Sequence, residues 1–399
     1  MTIGAKSQSG IWVLLACMIL TLSLGSVHAF SVFLETLEGR FNASRSDVSL
    51  IYSFALASIT VSVLFGHFIY NRLHPVLLVS LILLFAAAGC AIAGQATNLQ
   101  MAWLGYSVLF GSANGFGYGF ALKFSAQSNP DIKGFAMGCV TATYALGAAV
   151  APVPFKLLLN LGGFTSAMNG LAIALLIILL PVTFLVVKGK AKLKITQFEK
   201  NSNLKRQRWL VVKLWLGYGT AVATGLMIMG HATGIAKAGG LNGQLVVYAP
   251  IVIAIFNMFG SLMGGWLADR APIRLVLMAF PAFSVISLLM ISLFDHGFAT
   301  ICGLAFIGFA YGATIVAYPA AVSSLFGVVF GVRVYGHIFT AWGIAGLLAP
   351  WFAGILFERF GDYKVALALA AAFGLASLVT ARFFPANIGI NSDIKKNIY

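Results

Sequence analysis

Residues 171–208 read LAIALLIILLPVTFLVVKGKAKLKITQFEKNSNLKRQR. From 171 to 187 no side chain is charged, whereas 188–208 holds Lys188, Lys190, Lys192, Lys194, Lys200, Lys205, Arg206 and Arg208. A helix rises about 1.5 Å per residue, so about 20 apolar residues cross a hydrocarbon core of about 30 Å. The apolar run extends back to 164 and stops at a block of cations. It reads as a membrane-spanning helix ending on the cytoplasmic side.

Carried outward, the same reading finds twelve apolar stretches. The first six are about 11–34, 47–69, 75–94, 100–122, 134–158 and 164–187; the second six are about 209–235, 241–268, 272–294, 298–320, 334–357 and 362–384. Pro319 and the apolar 325–332 stretch blur the end of the tenth. The expected fold is an all-α membrane protein of twelve transmembrane helices. An N-terminal six-helix bundle (1–187), a basic linker (188–208) and a C-terminal six-helix bundle with a short tail (209–399) make up its domains.

Composition agrees. Only 9% of the 399 residues are charged and 60% are hydrophobic, with a mean hydropathy of +0.96. Soluble domains carry about 25% charged residues. An ordinary soluble enzyme, a disordered chain and a nucleic-acid binder with a basic surface are excluded. Cys17, Cys90, Cys139 and Cys302 all lie in apolar stretches, unlike a secreted disulfide framework. Val27-His28-Ala29 faintly resembles a signal cleavage site. The apolar run passes well beyond the roughly 7–15 residues of a signal core, so the first span is retained.

With both termini in the cytoplasm, 19 of the 25 Lys and Arg fall on the inner side and 6 on the outer, while the 10 acids split 4 to 6. The net charge of +15 is mostly a topology signal for a multi-pass protein of the cell inner (cytoplasmic) membrane. The second reading of the linker is contact with anionic lipid.

The halves repeat. Gly138, Tyr144, Ala151 and Pro152 of span 5 fall opposite Gly336, Trp342, Ala349 and Pro350 of span 11, an offset of 198. Phe116-Gly117-Tyr118-Gly119 of span 4 recurs as Phe309-Ala310-Tyr311-Gly312 of span 10, an offset of 193. The loop after span 2 begins Gly66-His67-Phe68-Ile69, and that after span 8 reads Gly265-Trp266-Leu267-Ala268-Asp269-Arg270. Six spans separate the copies, so the repeats run parallel and two pseudo-symmetric bundles enclose a cavity.

Gly265-x-Leu267-x-Asp269-Arg270 resembles the loop signature of the major facilitator superfamily. The resemblance implies that Gly265, Asp269 and Arg270 belong to a gate. In it the acid caps a neighbouring helix, pairs with Arg and holds the bundles closed on the cytoplasmic side. An Asp at a helix N-terminus is favourable. The first-half copy departs, with Tyr70 and Asn71 where Asp-Arg would be, followed by Arg72. Four further stretches look like the oxalate/formate antiporter branch, which includes monocarboxylate carriers. They are Leu24 to Phe30, Gly225 to His231, Tyr318-Pro319-Ala320, and Tyr335-Gly336 through Thr340-Ala341-Trp342-Gly343. Organic-anion carriers of the family often place an Arg in span 8; here Asn257-Met258-Phe259-Gly260 is followed by Ser261. The Lys that the oxalate carrier uses in span 11 aligns with Trp342. Both departures argue against oxalate.

A charge at mid-bilayer costs about 2.5–3.5 kcal/mol, so titratable groups there are functional candidates. No Asp, Glu, Lys or Arg lies near the centre of any of these spans. His28, in the outer half of span 1, and His231, near the outer end of span 7, remain. By the resemblance both spans face the cavity, where a His can take a carboxylate or carry a coupling proton. The alternative is a buried His bonded to a carbonyl or a Tyr.

His67, His74 and His296 sit at loops, and His337, beside Arg333, reads as a headgroup anchor or a gate. Tyr118, Tyr144, Tyr311 and Trp342 stand at repeat-matched positions and suit an aromatic pocket for a small, partly apolar anion. Helix packing is their alternative, and interhelical hydrogen bonding is that of Asn114 and Asn257. Lys123 ends span 4 and is expected to snorkel to the headgroups. Gly111, Gly115, Gly117 and Gly119 read as close helix contact rather than phosphate binding.

No metal constellation, nucleophile triad or nucleotide loop is present, and no cofactor is implied. The expected function is secondary transport of a small organic anion, a monocarboxylate, by alternating access. Proton symport and anion exchange are both open. The expected partners are that anion, protons and the lipid bilayer, without nucleic acid, and the working unit is a monomer. One alternative is an exporter of neutral or hydrophobic molecules, which the missing cations and many aromatics suit. A transporter-like sensor or scaffold is the other, with only a short linker and tail to signal through.

Overall fold

The computed structural model describes residues 3–43, 45–189, 204–241, 244–294 and 296–384. Every regular element among them is helical. The first half holds α1 (Ile3–Leu24), α2 (Arg45–Tyr70), α3 (Pro75–Gly94), α4 (Gly111–Ser128), α5 (Lys133–Val150) and α6 (Pro152–Lys188). The second holds α7 (Leu204–Gly230), α8 (Gln244–Arg270), α9 (Ile273–Leu293), α10 (Gly297–Phe326), α11 (Val328–Phe360) and α12 (Lys364–Arg382).

Ten stretches are long and apolar enough to cross a membrane. One of them, Pro130–Lys188, contains two legs, because Gly162 and Gly163 (φ +67) leave helical geometry between them. A further span is composite: the turn Leu99–Ala102, a π-helix at Trp103–Phe110, and α4. These account for the twelve expected spans. Leu176, Ile177, Leu180, Phe184 and Val187 of α6 are exposed, the lipid-facing surface of a multi-pass membrane protein.

Several helix starts are set by side chains. Asn98 Oδ1 accepts the Met101 N–H at 2.9 Å, and the ring nitrogens of His74 and His296 accept from Val76 and Phe298. His74 and His296 therefore cap helices at loops. His67 departs from the loop expectation, since α2 continues through it to Tyr70. The tenth span also runs past its expected end: Pro319 lies inside α10, and the break comes at Gly327, whose φ of +75 only glycine adopts easily.

The same helix pairs pack in both halves: α1 on α5 and α7 on α11, α2 on α4 and α8 on α10, α3 on α6 and α9 on α12. Added Cβ atoms at Gly111 and Gly115 would meet the backbone of Ala55 and Ile59; at Gly308 and Gly312 they would meet Ile253 and Asn257. The glycine run is thus close helix contact. These equivalent crossings put spans 4 and 10 at an offset of 197, one helical turn from the 193 of the Phe-x-Tyr-Gly motif. Backbone approach at glycine fixes the register, and the aromatic motif does not.

α6 ends at Lys188 and α7 starts at Leu204, so the halves connect at one end of the molecule, here the linker end. Most of 188–208, and the tail from 385 with Lys395 and Lys396, lie outside the described residues. Lys123 departs from the snorkelling expectation. α4 carries on to Ser128, the side chain is 3% exposed, and Nζ donates to Asn71 Oδ1 at 2.9 Å.

Candidate functional site

Beyond Leu24 the first span tightens into a 3-10 helix, Gly25–Phe33, which carries His28. Gly25 makes this possible by lying so close to the Tyr144 carbonyl that a Cβ would clash with it. His28 Nδ1 stands 2.6 Å from Tyr52 Oη, and its ring meets that of Tyr144 edge-on at 5.3 Å. Tyr144 Oη donates to Asn114 Oδ1 at 2.8 Å, and Asn114 Nδ2 donates to the Leu24 carbonyl at 2.6 Å. The fully buried Asn114 is thereby satisfied by two other helices, so its interhelical role is real. Spans 1, 2, 4 and 5 converge here.

The second half contributes the counterpart. Trp342 Nε1 donates to Tyr311 Oη at 2.8 Å. At offsets of 197 and 198, Tyr311 and Trp342 correspond to Asn114 and Tyr144, so one α4–α5 hydrogen bond recurs between α10 and α11 with different chemistry. Tyr118 joins the halves. Its ring lies 5.1 Å from Tyr144 and 6.2 Å from Phe339, which stacks on Trp342 at 5.0 Å and 14°. The result is a continuous aromatic seam from His28 to Tyr311, with Thr141 Oγ1 3.3 Å from Tyr118 Oη.

Six expected residues are therefore brought together: His28, Asn114, Tyr118, Tyr144, Tyr311 and Trp342. Asn257 sits beside them. It packs on Gly312, next to Tyr311, and its Oδ1 receives a 3.4 Å contact from Ser261 Oγ. His231 is not part of the group. Its Nε2 lies 2.9 Å from the Pro350 carbonyl and its Nδ1 3.4 Å from Tyr363 Oη, a brace among α7, α11 and the start of α12. Two members fall outside the sequence expectation. Phe339 had a signal, being three residues before Trp342 on one helix face. Tyr52 had none, since 198 residues on stands Pro250.

At the linker end the halves close on each other. Asp269 takes two backbone hydrogen bonds from the start of α5: Gly134 N–H to Oδ1 at 2.9 Å and Phe135 N–H to Oδ2 at 2.8 Å. A carboxylate from one half thus caps a helix of the other, where the helix dipole favours it. A Cβ at Gly265 would clash with the Gly134 carbonyl, and one at Gly138 would lie 2.8 Å from the Ser261 carbonyl. On the other side of the interface Gly336 approaches Leu64 and Gly343 approaches Thr60. Arg270 departs from the expected pairing with the acid. Its guanidinium lies 4.7 Å over the Trp266 ring and, among the described residues, Nη1 reaches only the Trp266 carbonyl, because Asp269 is turned toward α5.

A family model described as Major Facilitator Superfamily matches residues 11–350. The uncharacterized MFS-type transporter YhjX of Escherichia coli (strain K12) is 30% identical over 357 residues, 84% of this chain and 86% of that protein. Monocarboxylate transporter 13 of Rattus norvegicus is 25% identical over 390 residues, covering 93% of this chain and 88% of its own. Among solved structures, the transporter FucP in the outward conformation superposes with a TM-score of 0.70 at 15% identity, over 94% of this chain and 99% of that one.

Proposed function

The chain belongs to the major facilitator superfamily, and from that premise we propose that it moves a small organic anion, a monocarboxylate, within the oxalate/formate antiporter branch. It is a secondary transporter working by alternating access rather than an enzyme. One observation carries the substrate reading. His28, Tyr52, Tyr144 and Asn114 gather at one end of an aromatic seam that reaches both halves. An imidazole and phenol hydroxyls suit one carboxylate edge, and the rings suit its apolar remainder. The monocarboxylate transporter among the relatives supports the same class.

In this reading Tyr118, Tyr311, Trp342 and Asn257 form the floor below the anion. Gly265, Asp269 and Arg270 belong to the gate at the linker end. The Lys/Arg bias assigns that end, and both termini, to the cytoplasm of an inner-membrane protein built as two six-helix bundles. His231 drops to a bracing role.

The test is uptake of labelled formate, lactate and pyruvate into proteoliposomes, with and without a pH gradient. Gradient-driven uptake marks proton symport; acceleration by carboxylate loaded inside marks exchange. Absence of uptake for every carboxylate refutes the reading. It would leave export of a neutral solute, which the predominantly aromatic seam favours.

A further inference from the structure

Below the seam, on the linker side, the halves enclose a small cavity of about 30 Å³, partly open to solvent. Val63, Tyr70, Lys123 and Met137 line it from the first half, and Ser323 and Tyr335 from the second. Phe339 divides it from the His28 cluster, its ring 5.5 Å from Tyr335 and 6.2 Å from Tyr118.

Lys123 is the unusual wall. An ammonium taken out of water is costly unless it is paired, yet its one hydrogen-bond partner among the described residues is the neutral Asn71. The Tyr70 ring, 5.8 Å from Nζ, adds only a cation–π contact. An ammonium has three donors, and Asn71 uses one. Across the cavity the buried Tyr335 hydroxyl has no hydrogen bond of good geometry. Its nearby phenol, Tyr218, stands 6.4 Å away between ring centroids.

The repeat explains why the charge lacks an acid. At the 198 offset by which Ala55 and Ile59 correspond to Ile253 and Asn257, Asn71 stands opposite Asp269 and Arg72 opposite Arg270, which replaces the pairing of Tyr70 with Asp269 implied by matching Gly66 to Gly265. The second half keeps the carboxylate and spends it capping α5; the first half carries the amide, which leaves Lys123 uncompensated. We infer that Lys123, with Asn71 and the Tyr335 hydroxyl, forms a second anion station on the linker side of the seam, built for one small singly charged anion. The identity of that anion as a carboxylate rests on the function proposed above. The fixed cation missing from spans 8 and 11 is thus supplied by span 4, one compartment further along the path.

The test uses the purified full chain in nanodiscs, titrated with sodium formate, pyruvate and nitrate at constant ionic strength while the thermal midpoint is followed. The anion concentration needed to reach the same thermal shift rises about tenfold or more in Lys123→Gln and stays within about threefold in Lys123→Arg, because an ammonium or guanidinium hydrogen bond to an anion is the strong kind. Asn71→Asp is the second variant. It keeps Lys123 and gives it an internal partner, so it weakens anion binding while leaving the fold at least as stable. Equal anion responses in wild type, Lys123→Gln and Asn71→Asp overturn the station, and so does a wild type that responds to none of the three anions. Lys123-dependent nitrate binding without carboxylate uptake in proteoliposomes keeps the station and removes the carboxylate reading.

Discussion

Asp269→Ala removes both hydrogen bonds that hold α5 of one half against α8 of the other at the linker end. Both run from backbone N–H groups to a carboxylate, at 2.9 and 2.8 Å. A hydrogen bond to a charged group contributes about 1.5–3 kcal/mol net, and truncating a capping side chain costs about 0.5–2 kcal/mol. Once the halves part at this end, Asp269 and the two N–H groups are hydrated, so the loss falls mainly on the closed state. A differential of about 2–3 kcal/mol shifts the closed-to-open ratio by roughly 30–150-fold. The assay is pulsed electron resonance between spin labels at the exposed Arg72 and Leu275, one in each half at the linker end. The variant moves the distance distribution from a short to a long population. Asp269→Asn, which keeps one acceptor oxygen, falls between. An unchanged distribution in Asp269→Ala would refute the claim that this cap holds the halves together.

Four further outcomes are expected. Tyr52→Phe removes the hydroxyl 2.6 Å from His28 and lowers carboxylate transport about tenfold, the effect of one hydrogen bond of about 1–1.5 kcal/mol, measured as initial uptake rate at equal protein in the membrane. His28→Ala abolishes uptake, whereas His231→Ala lowers the thermal midpoint and leaves KM unchanged, because its partners are Pro350 and Tyr363 rather than the seam. Equal loss of transport in both would return His231 to the binding site. Trp342→Phe keeps the stack on Phe339, loses the bond to Tyr311, and costs about 1 kcal/mol in unfolding measurements. Gly265→Ala forces α8 away from the Gly134 carbonyl, so the same labels at Arg72 and Leu275 report a population opened at the linker end.

Hydropathy and the Lys/Arg bias made the twelve spans and the two-fold repeat legible, because lipid constrains every residue of a spanning helix. Breaks that keep the chain apolar left no such trace. The turn at Gly162 and Gly163 falls in the expected gap between 158 and 164, but the π-helix at Trp103–Phe110 and the continuation of α10 through Pro319 hide inside continuous hydrophobic runs. Membership of the candidate cluster was legible where residue type was rare for its surroundings, as with His28 and Asn114, and less so where the meaning depended on a neighbour. His231 is as polar as His28, but only the fold reveals that Pro350 and Tyr363 absorb it. Lys123 looked like the end of a helix because a charge usually marks one; α4 continues for another turn and carries it indoors. The repeat misled in one place for a related reason. Phe-x-Tyr-Gly is conspicuous, yet the backbone approaches at Gly115 and Gly312 set the true register.

The 3-10 winding of Gly25–Phe33 turns the end of the first span into a screw of finer thread. Such a helix advances about 2.0 Å and 120° per residue, against about 1.5 Å and 100° in the α form. Over the three residues from Gly25 to His28, rewinding to the α form turns the imidazole by about 60° and draws it in by about 1.5 Å. With Nδ1 only 2.6 Å from Tyr52, that rotation is enough to break the contact while leaving the rest of the span in place. His28 is thus mounted on a thread whose pitch sets whether it and Tyr52 touch.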